Sequence, residues 1–140
     1  MAPFLNPGDW IGVEWREAQS PTQGFEFIQG QIVLARDSQS QEWLVHRLIK
    51  KDRQTKNLWI KGDTSFAWDQ LSVSDIWGQV VAIRAPEILF SPNWLDSWIA
   101  RFSEYSLSPN PMKARIARRI VYFLALGRRK WLNLLFKISS

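Results

Sequence analysis

The 140-residue sequence has no cysteine and a single histidine. Without cysteine there is no disulfide, no thiol nucleophile and no thiolate metal ligand, so thiol redox chemistry and Cys-ligated zinc are excluded. One histidine, His46, excludes a histidine cluster, and no aspartate-rich loop with the spacing of a hard-cation site replaces it. No metal and no cofactor is expected. Long apolar runs are also missing. Nothing reaches the ~20 residues of a spanning helix, and the opening "MAPFLNPGDW" has neither the basic nor the apolar region of a signal peptide. The expected location is cytoplasmic or peripheral to a membrane.

Acid is absent from one part of the chain. Residues 1–110 hold ten Lys/Arg against thirteen Asp/Glu, whereas residues 111–140 hold eight basic residues and no acid. Any surface that seeks an anionic partner is therefore expected in this tail, with Arg118, Arg119, Arg128, Arg129, Lys130 and Trp131 as contacts.

The chain is 46% hydrophobic, enough for one domain with a core plus an appendage. From Trp10 to Ala85, "WIGVEW", "QIVLAR", "EWLVHRLIK", "NLWIKGD" and "GQVVAIRA" are short Val-, Ile-, Leu- and Trp-rich segments divided by turn-like stretches. Helical periods do not intervene, so the pattern predicts a mainly β fold, a small curled antiparallel sheet over residues 1–85. The stretch "TSFAWDQLSVSDIW" interrupts the rhythm. Large rings in or beside strands most often fill a core, which predicts that Trp10, Trp15, Trp43, Trp59 and Trp77 are interior.

Residues 86–140 change character to amphipathic helices. Ser91 and Pro92 suit a helix start, and Trp94, Leu95, Trp98, Ile99 and Phe102 recur at helical spacing. "SLSPNP" ends that helix, and a basic helical segment follows with a bend or pause expected at Gly127. Its apolar residues Ile116, Ile120, Phe123, Leu124, Trp131, Leu134 and Leu135 allow two readings. One is a helix in an anionic membrane interface, the other a helix capping the sheet with a solvated basic face. Nucleic acid ranks third, since no recognition motif accompanies the charge.

Three stretches carry more than pattern. "MAPFLNPGDWIGV", "LVHRLI" and "KGDTSFAWDQ", followed by "IWGQVVAIR", resemble in order and spacing the boxes of signal peptidase I-type serine endopeptidases, above all the archaeal and endoplasmic-reticulum branch, and more distantly the LexA-type self-cleaving repressors. The resemblance covers about residues 1–84. It implies a protease that cleaves extended protein or peptide segments with a Ser-His-Asp arrangement.

Met1, Pro3, Gly8 and Asp9 match the Met, Pro, Gly and Asp of the first box, which puts the family's nucleophilic serine immediately before Met1. Either an upstream serine belongs to the motif, or this is an inactive homologue that serves as a peptide- or membrane-binding module. In the second box Val45, His46 and Arg47 match Val-His-Arg, making His46 the implied base, and imidazole with an ordinary pKa of ~6.5 suits that role near neutrality. In the third box Lys61, Gly62 and Asp63 match, and Asp69 stands where that branch has the acid that orients its histidine. Asp63 has a simpler reading as a turn residue. Ser20, Ser38, Ser40, Ser65, Ser72 and Ser74 match no box and read as loop serines.

Overall fold

The computed structural model describes residues 10–15, 27–38, 40–52, 54–55, 57–63, 65, 67–83, 88–89 and 91–139. Among these residues seven strands form one antiparallel sheet: β1 Ile11–Trp15, β2 Ile32–Arg36, β3 Trp43–Lys51, β4 Leu58–Lys61, β5 Asp69–Leu71, β6 Ile76–Ile83 and β7 Ile88–Leu89. Their order is β1-β6-β2-β3-β4-β5, with β7 paired to β6. Helices α1, Trp94–Tyr105, and α2, Pro111–Ser139, follow.

The apolar segments read from the sequence become β1 to β4 and β6. The interrupting stretch holds β5, a strand of three residues, and a single helical turn at Val73–Asp75 closed by a reciprocal Ser72–Asp75 cap. Periodicity misses β5 because only Leu71 of its three residues is apolar.

Successive residues of a strand point to opposite faces, and both faces of this sheet are used. Val33, Ala35, Leu48, Leu58, Ile60, Leu71 and Ile76 form a core on one face. On the other, Ile32, Val80 and Ile83 meet Ile99 of α1 and Val121, Ala125 and Leu132 of α2. Each fully buried Ile, Leu or Val contributes about 1.5–3 kcal/mol relative to exposure. The helices therefore share the sheet's hydrophobic core, which is the capping role foreseen for the tail.

Branched aliphatics, not tryptophans, fill both cores. Trp10, Trp15, Trp43 and Trp77 are exposed, contrary to the interior position expected from the sequence, and Trp59 is half-buried. The alternation explains it for Trp77, which points outward between buried Ile76 and buried Gly78. Trp43 packs edge-on against both Trp15 and Trp77, so the rings shield one another at one end of the sheet.

Helix α1 starts later than Ser91-Pro92 suggests. Asn93 is its cap, accepting from the amides of Leu95 and Asp96, while the Asp96 carboxylate accepts from the Asn93 amide. Asn110 caps α2 by accepting from the amides of Met112 and Lys113, ahead of Pro111 in the first turn. α2 runs through Gly127 as one helix, and the bend expected there does not occur. Gly30, at φ +93°, is where α1 meets the sheet: a Cβ there would stand 2.6 Å from the Asp96 backbone, so only glycine fits.

Candidate functional site

Strand β3 supplies His46 and Arg47, and their neighbours fix which face each one uses. His46 lies opposite Val33 of one core, and Arg47 opposite Ile32 of the other. The two side chains thus enter different environments.

On the first face His46 Nδ1 is 3.1 Å from Asp69 Oδ2. β5 delivers the aspartate: Asp69 pairs with Ile60 of β4, which pairs in turn with Leu48 of β3. The His46 side chain is 18% exposed and that of Asp69 44%. Burial lowers the His46 pKa from its usual value, against the opposing pull of the Asp69 carboxylate. The imidazole is therefore neutral at pH 7. A carboxylate only accepts, so the shared proton sits on Nδ1 and Nε2 keeps a lone pair.

Gly62 guards that lone pair. Lys61 pairs with Arg47, and one residue further on a Cβ at Gly62 would stand 3.3 Å from His46 Nε2. Any larger residue would crowd the nitrogen. The same point lies 3.5 Å from Ser65 Cβ, but the Ser65 hydroxyl donates to the Ala67 carbonyl at 2.8 Å and accepts from the Ala67 amide. Ser65 is thus engaged within its loop. Ser72 is a cap, Ser74 donates to it, and Ser40 donates to Asp37. Trp68, next to Asp69, packs on Trp59, and the Lys50 ammonium lies over both rings.

On the second face Arg47 is wholly buried among acceptors. Its Nε and Nη2 donate to the two oxygens of Asp63 at 2.8 and 3.1 Å, and Nη1 donates to Asp96 and to the Gly30 carbonyl, each at 2.7 Å. Arg128 of α2 completes the chain by donating to the other Asp96 oxygen at 3.1 Å and to the Ser91 carbonyl. Burial disfavours the Arg47 charge, but Asp63 and Asp96 outweigh it and raise the pKa above its usual value.

Lys61 is buried beside this group, and its ammonium donates to the Gly62 carbonyl at 3.3 Å. Burial lowers its pKa, Asp63 opposes that, and Arg118 of α2 adds to it.

The structure brings together His46 with Asp69 and Gly62, and Arg47 with Asp63. Met1, Pro3, Gly8, Asp9 and Ser20 lie outside the described residues. Two assignments change. Asp63 is the bidentate partner of Arg47 and not only a turn residue, because a guanidinium buried on a strand requires a planar acceptor pair. Arg128, expected as a surface contact, is buried against Asp96. Asp96 itself escaped the sequence reading, since it lies 49 residues from Arg47 and looks like an ordinary first-turn acid. Among the described residues no cluster of His, Cys, Asp and Glu is arranged to hold a metal ion. Comparisons with protein-family models, curated proteins and solved structures find no match to this chain.

Proposed function

We propose that the chain carries the base and acid of a serine endopeptidase of the signal peptidase/LexA-like type, with the hydroxyl supplied from the position immediately ahead of Met1. One observation carries this reading: a half-buried histidine whose Nδ1 faces a carboxylate and whose Nε2 is kept clear by a glycine. In the proposed step Nε2 takes the proton of the attacking hydroxyl, the imidazolium is stabilised through Nδ1–H by Asp69, and the proton then passes to the leaving amine.

The substrate is an extended peptide, cut beside small residues as in the family resembled. β5, which bears Asp69, stands at the end of the strand order among the described residues, so its outer edge suits a peptide added as a further strand beside the acid. The four-charge group behind Arg47 holds the Gly62–Asp63 corner against β3 and so acts through position, not by contact with substrate.

The test is the chain with a serine placed directly before Met1. Labelling of that serine by a fluorophosphonate and cleavage of an extended peptide, both lost in His46→Ala, are expected. Absence of labelling, or labelling indifferent to His46, would overturn the protease reading in favour of a peptide- or membrane-binding homologue.

A further inference from the structure

Helix α2 has two apolar stripes, and the fold covers one. Ala114, Ala117, Val121, Ala125, Arg128 and Leu132 are buried toward α1 and the sheet. At about 100° per residue, Met112, Ile116, Phe123 and Leu134 lie about 180° away, on the opposite side of the helix. They are exposed, Met112 at 72% and Phe123 at 67%. A helix that only capped the sheet would have a polar outer face.

The borders of this outer stripe are basic and aromatic. Arg115, Arg119 and Lys113 are exposed beside it, exposed Lys130 lies on it between Phe123 and Leu134, and no acid occurs in residues 111–140. Tyr122 and Trp131, both exposed, stand near its two edges. Rings with a polar handle favour the boundary between lipid and water, and cations beside an apolar stripe favour an anionic surface. Over its 29 residues α2 is not apolar enough to cross a bilayer, nor is any other helix among the described residues.

We propose that α2 rests lengthwise in the headgroup region of an anionic membrane, with Met112, Ile116, Phe123 and Leu134 inserted and the flanking cations against lipid phosphates. The inner stripe stays in the protein core, so the helix joins the domain rigidly to the surface. The two roles foreseen for this segment, interfacial and capping, then belong to opposite sides of one helix. This inference does not depend on the protease reading.

The experiment is co-sedimentation of the full chain with phosphatidylcholine vesicles, with and without phosphatidylserine. Binding only to the anionic vesicles, released by rising salt, is expected. Ile116→Ser with Phe123→Ser should lower the partition coefficient by at least about tenfold. Arg115→Gln with Arg119→Gln should lower it by about fivefold per charge. All four side chains are exposed, so circular dichroism should be unchanged in both variants. Unchanged binding in either variant, or equal binding to neutral vesicles, would overturn the proposal. So would a dimer in sedimentation equilibrium that the apolar variant splits without any vesicle binding, because a second copy would then be the occupant. Retention on duplex DNA without vesicle binding would overturn it as well.

Discussion

His46 and Arg47 are consecutive residues, each held by carboxylate, and they end in opposite conditions. Arg47 points to the helix-covered face, where two aspartates and a carbonyl satisfy it and the aspartates hold its charge against burial. His46 points to the other face, where one half-exposed aspartate meets one nitrogen and burial pushes its pKa down. A saturated buried charge is structural, because any change of state would strand its partners. A half-satisfied neutral base keeps a lone pair for use. The difference between the two faces is what separates scaffold from candidate chemistry in this fold.

The sharpest way to break that contrast is to remove Asp96. It is fully buried between Arg47 and Arg128, so Asp96→Ala leaves two interior guanidinium groups short of a partner. A loss of about 3–5 kcal/mol is expected in urea unfolding. Asp69→Ala, at a half-exposed side chain, should cost under about 1 kcal/mol. Similar losses in the two variants would erase the distinction.

Activity should show the reverse order. In the serine-bearing chain, His46→Ala should reduce turnover by about three orders of magnitude or more and Asp69→Asn by a smaller factor, with both variants still folded. A smaller effect is expected from Gly62→Ala. Its methyl would press on His46 Nε2 at 3.3 Å, so turnover should fall about tenfold or more while the unfolding free energy changes by about 1 kcal/mol at most. Unaltered turnover in Gly62→Ala would mean that the edge of the ring is not where the attacking serine hydroxyl arrives.

The exposed tryptophans should bear on stability and not on turnover. Trp43→Ala removes two edge-on ring contacts at the end of the sheet and should lower stability by about 1–2 kcal/mol in the same assay, without touching His46.

The strands were legible because Val, Ile and Leu cluster in them between polar turns, and His46 and Asp69 were legible through the boxes they resemble. Periodicity alone joins neither. Their meeting depends on β5, whose single apolar residue gives no pattern. The Arg47–Asp96–Arg128 group was illegible for a different reason: its members come from a strand and two helices, separated by 49 and 32 residues, and each looks like a surface charge in its own segment. The tryptophans misled because a strand's alternation tells which residues share a face but not which face another layer will cover.

Titration of the His46 ring nitrogens by NMR, in the chain without any added serine, tests the central claim most directly. The account predicts a neutral ring with its proton on Nδ1 and a pKa below the ordinary ~6.5, falling further in Asp69→Asn, where the carboxylate's pull is gone. Since the unfolded chain binds this proton more readily, stability contributed by His46 should be whole above about pH 6.5 and decline as pH falls toward the lowered value. A proton on Nε2, or a pKa above 6.5 that Asp69→Asn leaves unmoved, would contradict the assignment of His46 and Asp69 as base and acid.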